Sequence, residues 1–292
     1  MYVPSTMLSG KVCIVTALVS LGSMIIASIL AKNSSQVPIR SKFAALSAFV
    51  FAAQMLNYPV PGATSAHFMG GFFLSALMGP AFGLLSMAMV VSIQSVLYVN
   101  GGVGAWGSNI INLAIVPACF AAALPILRVY IPQKIAFLAL SLLSVSFSIL
   151  TLSLELSLSA SASFGQVFSA MFSSHKFLSI GEAIFSLFAY SIFRSYELWN
   201  ERVEAFVHFS VVTGLCLLII SPLASTLPSG IEIASKKLSL FSSQGNSFAV
   251  FFPRVPFIEY ASISIIIAGF CGLLSCFLSA FYFSSIFQKK LS

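Results

Sequence analysis

The sequence predicts an all-α fold, a polytopic transmembrane helical bundle of about nine helices with its N-terminus outside. Apolar residues make up 59% of the chain and charged residues only 7%, so a water-soluble fold would have too little polar surface to cover itself. No charged residue occurs from Phe43 to Leu127. The basic residues, which give a formal charge of +7, lie at the ends of apolar segments, as in membrane proteins. They form no stripe that would bind nucleic acid.

The apolar segments give the nine candidate helices. The first, Val12–Ala31, lies between two lysines and is long enough, at about 1.5 Å per residue, to cross a hydrocarbon core of roughly 30 Å. We expect residues 1–10 to be retained ahead of it, because they lack the features of a signal peptide. The other eight predicted helices are Phe43–Asn57, His67–Gly79, Ala81–Val99, Ser108–Arg128, Lys134–Leu154, Phe177–Phe193, Phe206–Ala224 and Tyr260–Gln288.

Lysine and arginine positions set the predicted orientation. With the N-terminus outside, nine of the 14 basic residues fall on the cytoplasmic side and five on the outer side, which favours this arrangement. The loop at residues 32–42 and the charged loop Arg194–Glu204 are then cytoplasmic. The serine-rich segment Glu155–Ser174 is predicted to be an external loop, and the polar segment Ser225–Glu259 is predicted to lie outside as well.

The candidate site is predicted in the stretch Asn57–Gly71, N-Y-P-V-P-G-A-T-S-A-H-F-M-G-G. Its two prolines and Gly62 cannot continue a helix, so the preceding helix ends there. Thr64 and Ser65 are good N-cap residues, which predicts a helix start with His67 in its first turn. An imidazole at membrane depth is costly and therefore indicates function. The alternative is a hydrogen-bonded histidine with a structural role alone.

Motifs for other functions are absent or occur in the wrong context. Residues 102–107 spell G-x-G-x-x-G but lie between two membrane helices, which favours a tight interhelical loop over a dinucleotide site. The sequence has no phosphate-binding loop, no H-E-x-x-H and no G-x-S-x-G. We therefore predict that the chain is not an enzyme, that it uses no organic cofactor, and that any ATP is hydrolysed by a separate subunit. The five cysteines, without C-x-x-C spacing, are expected to be core residues.

A family resemblance rests on the same stretch. The run F-A-A-Q-M-L-N-Y-P-V-P-G-A-T-S-A-H, which ends at His67, resembles the signature of the CbiM/NikM family, the substrate-binding membrane components of energy-coupling-factor transporters for cobalt and nickel. The segment from His175 to Glu182 also falls in the family's order, so the resemblance covers about residues 1–200. Pro228–Glu232 resembles an element of the small CbiN component, with Ser229 in place of the family's aspartate.

The resemblance implies two domains and a metal site. Residues 1–200 would be the metal-binding transmembrane domain, and residues 201–292 a CbiN-like two-helix unit with the external loop 225–259. The family's ligands are the N-terminal amine, the amide and side chain of a histidine at position 2, and the histidine of the T-S-G-H motif. They correspond here to Met1, Tyr2 and His67, so Tyr2 removes one expected imidazole.

The resemblance also implies a transport function with partners. The substrate would be a divalent transition metal ion, Co²⁺ or Ni²⁺, taken up across the plasma membrane in which the chain lies. The partners would be a transmembrane coupling subunit (CbiQ-like) and ATP-binding subunits (CbiO-like), with the lipid bilayer and no nucleic acid. Two alternatives stay open, a degenerate relative that serves assembly or regulation without transport, and a substrate-binding subunit for another solute. Tyr2 favours these alternatives, and retention of the whole loop with His67 favours metal uptake.

Four more polar residues have two interpretations each. His175 and Glu182, seven residues apart and near one helical face, are either a proton or metal relay or groups that orient a loop and bond each other or the backbone. Asn109 and Asn112 either orient the metal ligands or make hydrogen bonds between packed helices.

Overall fold

The computed structural model describes residues 2–34, 37–62, 64–97, 102–160, 162–199, 202–238 and 261–288. Met1, residues 239–259 of the predicted external segment and Tyr260, the first residue of the predicted last helix, lie outside the described residues. The two strands are β1 (Tyr58–Val60) and β2 (Thr64–Ala66). The helices are α1 (Gly10–Lys32), α2 (Arg40–Gln54), α3 (Gly71–Met78), α4 (Pro80–Leu97), α5 (Trp106–Ile110), α6 (Val116–Ala122), α7 (Leu124–Leu127), α8 (Gln133–Ser159), α9 (Phe164–Trp199), α10 (Val203–Ile220), α11 (Gly230–Leu238) and α12 (Ala261–Ser284).

The prediction of an all-α membrane bundle is confirmed. Within the described ranges, six helical stretches are long and apolar enough to cross a membrane, and the chain is a multi-pass membrane protein. One of them runs from Val103 to Leu127 and joins α5, a π-helical segment at Ile111–Ile115, α6 and α7. The six stretches are Gly10–Lys32, Val103–Leu127, Gln133–Ser159, Phe164–Leu198, Val203–Leu223 and Ile263–Phe287.

The helix count agrees roughly with the prediction of nine. Each predicted helix has a counterpart with somewhat different ends, and the stretch Val103–Leu127 corresponds to one of them. Among the described residues, one α-helix has no predicted counterpart. It is the nine-residue α11. It lies inside the segment Ser225–Glu259 that was expected to be polar loop, and it packs against α9.

The prediction of a serine-rich loop at Glu155–Ser174 is wrong. α8 continues to Ser159 and α9 begins at Phe164, so helix occupies most of this stretch. Serine is compatible with a membrane helix when its hydroxyl donates to a carbonyl one turn earlier. Ser159 donates to the carbonyl of Glu155 at 2.8 Å, and Ser174 donates to that of Met171 at 3.0 Å.

Helix α2 lies at the centre of the bundle. Every residue from Phe43 to Gln54 is buried, and α12, α10 and α4 pack around it. Its 15 residues give a length of about 22 Å, which is shorter than a hydrocarbon core of roughly 30 Å. The following loop therefore lies at membrane depth, where irregular backbone is tolerated because protein surrounds it.

Charged residues collect at the end of α2 that is opposite to this loop. Lys42, in the first turn of α2, pairs with Glu197 near the end of α9, and Arg194 contacts the same carboxylate at 2.9 Å. These residues are predicted to be cytoplasmic, and the loop after α2 external. The orientation of the bundle in the membrane stays a prediction.

Candidate metal centre

A short hairpin, not a helix start, precedes His67. Tyr58 pairs with Ala66 and Val60 with Thr64 in an antiparallel two-stranded sheet. The predicted N-cap at Thr64 and Ser65 is therefore wrong, and so is the placement of His67 in a first helical turn. The Thr64 hydroxyl donates to the carbonyl of Pro228 at 2.9 Å instead of accepting from a helix N–H.

Helix α3 begins only at Gly71, after a bend that Gly70 makes possible. Gly70 has φ of 78°, in the left-handed region where residues with a Cβ are strained. A Cβ at this position would also lie 2.5 Å from Cγ1 of Val50 on α2. The bend leaves His67, Phe68 and Met69 in a short irregular segment between the hairpin and α3, which we call the His67 loop together with Gly70.

Glu182 on α9 holds the end of this loop. Its two carboxylate oxygens accept hydrogen bonds from the backbone N–H of Met69 at 2.9 Å and of Gly70 at 3.1 Å. Ser186 donates to the same carboxylate at 3.2 Å. A carboxylate at the start of α3 also complements the helix dipole. Of the two interpretations of Glu182, the contacts support the one in which it orients a loop.

We expect Glu182→Gln to destabilise the protein and loosen the His67 loop. The glutamine NH₂ would face a backbone N–H, which leaves one buried donor without an acceptor and costs about 1–3 kcal/mol. Thermal unfolding in detergent should show a clear loss in the variant. The matched control is Glu204→Gln on the exposed start of α10, which should unfold like wild type. An unchanged unfolding temperature for Glu182→Gln would contradict this role.

His67 is held in one tautomer by its own loop. Its side chain is 5% exposed, and Nδ1 lies 3.1 Å from the carbonyl oxygen of Phe68. A carbonyl only accepts, so Nδ1 carries the proton and Nε2 carries the lone pair that a metal ion needs. Burial lowers the pKa of His67 to about 3, because the charged imidazolium would lose its hydration. The imidazole is therefore neutral at physiological pH.

The N-terminal segment lies beside this imidazole. The ring of Tyr2 is 5.7 Å from the ring of His67, centroid to centroid. Asn109 fixes the segment, since its Oδ1 accepts from the backbone N–H of Val3 at 2.9 Å and its Nδ2 donates to the carbonyl of Val3 at 3.1 Å. The structure thus brings Tyr2 and His67 together, and Met1 lies outside the described residues.

Two glutamines that the sequence analysis did not single out complete the surroundings of Tyr2. Its hydroxyl donates to Oε1 of Gln94 on α4 and lies 3.4 Å from Oε1 of Gln54 on α2. Burial raises the pKa of the Tyr2 hydroxyl above its usual value near 10, so the phenol stays protonated. Each glutamine is the only amide side chain on its largely apolar helix, and that signal would have identified them.

No cluster of metal-binding side chains surrounds His67 in the described residues. Groups of three or more histidine, cysteine, aspartate or glutamate side chains are absent there. The described part of the N-terminal segment, which begins at Tyr2, lies beside His67.

His175 and Asn112 make hydrogen bonds to other groups inside the bundle. His175 Nδ1 lies 2.8 Å from the carbonyl oxygen of Met171, and the His175 ring is 1% exposed. It does not bond Glu182, so the contacts give no support to a direct relay between these two. Asn112 donates to Glu155 at 3.0 Å, which links the helical stretch Val103–Leu127 to α8.

The segment before α11 docks on the hairpin. Ser65 N–H donates to the carbonyl of Pro228 at 2.9 Å, and a parallel bridge joins Ser65 to Ser229. Ser225 N–H donates to the carbonyl of Asn57 at 2.7 Å. A Cβ on Gly230 would lie 2.7 Å from Cε1 of His175, so only glycine fits against that ring. The C-terminal part of the chain thus contacts the hairpin that precedes His67.

Comparison with known families decides the assignment. Residues 2–198 match the profile of the family described as "Cobalt uptake substrate-specific transmembrane region", CbiM. The chain belongs to the CbiM family. The resemblance seen in the sequence is thereby confirmed. CbiM membership and the helical bundle agree with a transport protein.

Several relatives of this CbiM chain carry the name of a fused nickel transport protein. It is 50% identical over 78 residues, 27% of this chain and 26% of the relative, to the "Putative fused nickel transport protein NikMN" of Archaeoglobus fulgidus. It is 31% identical over 121 residues, 40% of this chain and 36% of the relative, to the "Probable fused nickel transport protein LarMN" of Lactiplantibacillus plantarum. The matched part spans 26% and 36% of these relatives' lengths.

A solved structure also aligns with this CbiM chain. It is a crystal structure described as that of a truncated transition metal transporter. The alignment covers 77% of this chain and 100% of that one, with a TM-score of 0.48 and 21% sequence identity.

Proposed function

We propose that this CbiM chain is the membrane substrate-binding component of an ATP-driven energy-coupling-factor importer for a divalent transition metal ion, Ni²⁺ or Co²⁺. The observation that carries the proposal is the placement of the N-terminal segment against His67 by Asn109. That contact joins the two parts of the chain from which a nitrogen site can be built. The fused nickel transport proteins among its relatives support the same substrate class.

The proposed ligands are the α-amine of Met1, the amide of Tyr2 and Nε2 of His67. Nitrogen donors of these kinds suit Ni²⁺, Co²⁺ and Cu²⁺. The N–H of Val3, next along the backbone, already donates to Asn109. Asn109 therefore fixes the backbone immediately after the two proposed N-terminal ligands.

We further propose that residues 201–292 form a CbiN-like unit fused to the metal-binding domain, residues 1–200. Its hydrogen bonds to β2 and to Asn57 support a role in holding the His67 loop. The departure at Ser229 is compatible with this packing, because the Ser229 hydroxyl accepts from the N–H of Glu232 at 3.4 Å, at the start of α11. An aspartate would accept at the same place.

The alternative of a relative that has lost metal binding is favoured by one observation, the phenol of Tyr2 where the family has an imidazole. The two candidates differ in one measurement. Elemental analysis of the chain purified from cells supplied with nickel and cobalt should find close to one ion per chain if it binds substrate. A metal-free chain would favour the alternative.

Uptake should require partner subunits. Because the sequence has no phosphate-binding loop, we expect radioactive nickel or cobalt to accumulate only when this chain is produced together with a transmembrane coupling subunit and active ATP-binding subunits. An ATP-binding subunit with its phosphate-loop lysine replaced is the matched control. Accumulation against a gradient by the chain alone would contradict the proposal.

Metal affinity should fall as the pH is lowered. The slope of this fall with pH should not become steeper near pH 6.5. Protons compete with the ion for nitrogen ligands, and the α-amine, with an unperturbed pKa of roughly 7.7–8.0, binds a proton in the neutral range. The pKa of His67 is lowered to about 3, so its imidazole binds protons weakly and adds no competition there. Affinity measured from about pH 8 to about pH 5 checks this. An added loss of about tenfold per pH unit below about 6.5 would show that His67 titrates like an exposed histidine.

A further inference from the structure

A line of hydrogen bonds connects Tyr2 with the backbone of the His67 loop through two side-chain amides. The Tyr2 hydroxyl donates to Oε1 of Gln94, Nε2 of Gln94 donates to Oε1 of Gln54 at 2.9 Å, and Nε2 of Gln54 donates to the carbonyl of Met69 at 2.8 Å. All four residues are buried. We call the Gln54–Gln94 pair the amide relay. Its donors all point from the N-terminal segment towards the loop, so each bond strengthens the next.

The carbonyl of Met69 fixes the direction of the whole relay. Because a carbonyl only accepts, the NH₂ group of Gln54 must face Met69, and Oε1 of Gln54 then faces Gln94. Gln94 in turn presents Oε1 to Tyr2. The Tyr2 oxygen therefore meets two amide oxygens, and its favourable role is that of a hydrogen donor. A phenolate oxygen bound to a metal ion would instead face both amide oxygens with a negative charge.

The other end of the relay holds the loop close to the proposed ligand. Met69 is two residues after His67, and both of its backbone polar groups are bonded. Its carbonyl accepts from Gln54, and its N–H donates to Glu182 at 2.9 Å. The Tyr2 ring also packs 5.7 Å from the imidazole. The position of Tyr2 and that of His67 are thus linked through the relay and through direct ring contact.

We propose that Tyr2 is a positioning residue whose side chain, through Gln94 and Gln54, fixes the N-terminal segment relative to the His67 loop, and that its phenol oxygen is not a metal ligand. The inference rests on the proposed function for the identity of the ion. The positioning itself is a property of the metal-free protein. This chain has Tyr2 where the family has a histidine at position 2. In this proposal the Tyr2 phenol keeps the N-terminal segment in place without supplying a ligand.

The first test uses metal-free protein and amide hydrogen exchange of residues 64–70. Tyr2→Phe keeps the ring and removes the bond to Gln94, and Gln94→Leu removes the acceptor. Tyr2→Phe loses one buried hydrogen bond, about 1 kcal/mol, and should speed local exchange about fivefold. Gln94→Leu also loses the bond from Gln94 to Gln54 and should speed exchange at least as much. The double variant should add little beyond Gln94→Leu alone, because both changes break the same line of bonds. The matched control is Tyr130→Phe, at an exposed tyrosine, which should exchange like wild type.

The second test asks whether the phenol binds the ion, with Cu²⁺ as the spectroscopic probe. If Tyr2 only positions the site, wild type and Tyr2→Phe should give the same Cu²⁺ absorption spectrum, without a phenolate charge-transfer band. Tyr2→Phe should then bind Ni²⁺ roughly 10- to 100-fold more weakly, the loss typical of removing a group that orients a ligand.

The two tests separate this inference from the proposed function. A phenolate charge-transfer band that disappears in Tyr2→Phe would overturn the positioning role, and so would unchanged exchange of residues 64–70 in both single variants. If wild type binds no Ni²⁺, Co²⁺ or Cu²⁺ while the variants still exchange faster, the relay is upheld and the proposed metal transport function fails.

Discussion

His67→Ala should abolish binding of nickel and cobalt by the purified chain. Nε2 of His67 is the lone-pair nitrogen of an imidazole whose Nδ1 is committed to the carbonyl of Phe68. The described residues contain no group of three or more histidine, cysteine, aspartate or glutamate side chains that could hold the ion instead. The loss should therefore exceed the roughly 10- to 100-fold that follows when only a ligand's hydrogen-bond partner is altered. Titration of detergent-solubilised protein with Ni²⁺ would measure it.

Another histidine of the chain provides the control for this prediction. His208 is exposed on α10, so His208→Ala removes an imidazole without touching the loop. We expect this variant to bind metal like wild type and to have the same unfolding temperature. If His67→Ala binds Ni²⁺ with wild-type affinity, the ion is bound elsewhere and the assignment of the site is wrong.

A short peptide fused ahead of Met1 should remove metal binding as completely as His67→Ala. The fusion converts the α-amine into a peptide amide and places extra backbone where the chain end has to approach the imidazole. Val3 is fully buried and held by Asn109 on both of its backbone polar groups, so the segment cannot shift outwards without breaking these bonds. Isothermal titration with Ni²⁺, on protein verified by mass spectrometry of its N-terminus, would detect the loss.

The position of the fused peptide supplies its own control. The same peptide attached after Ser292 leaves the N-terminus intact, and this protein should bind Ni²⁺ normally. Protease removal of an N-terminal peptide that leaves Met1 as the first residue should restore binding. Full affinity with the N-terminal peptide in place would show that the α-amine is not a ligand.

The sequence was sufficient to predict the class of fold and to single out a candidate site. Apolar runs bounded by lysine and arginine identify membrane helices, because charge is expensive in hydrocarbon and apolar length is set by bilayer thickness. The two prolines after Asn57 end a helix on steric grounds alone. His67, a histidine between apolar helices, was therefore recognisable as a candidate from local information.

The local structure around His67 was not predictable in the same way. Thr64 and Ser65 suit an N-cap as well as a strand, and the choice depends on partners that are distant in the sequence. Their hydroxyls bond Pro228 and Leu227, more than 160 residues later. The link between Asn109 and Val3 is similarly long in sequence, with a separation of 106 residues. Secondary-structure propensity depends on the local sequence alone. Here the tertiary contacts decided the local structure.

The prediction of a loop at residues 155–174 was wrong for a different reason, which is the serine content of α8 and α9. Serine favours turns when its hydroxyl competes for backbone groups in water. In an apolar environment the same hydroxyl bonds a carbonyl of its own helix, as Ser153 does with Ile149 at 2.7 Å. Composition alone therefore overestimated the loop between residues 155 and 174.

The docking of residues 225–230 on the hairpin is an intramolecular event, because α10 tethers this segment to the bundle that carries Asn57 and Ser65. A tethered segment has an effective concentration in the millimolar range, which does not change with dilution in the membrane. Hydrogen bonds of about 1 kcal/mol each would not hold a separate peptide at cellular abundance, but they suffice for a tethered one. Docking of residues 225–230 on the hairpin is therefore independent of expression level, whereas a two-chain arrangement would depend on the amount of the second chain.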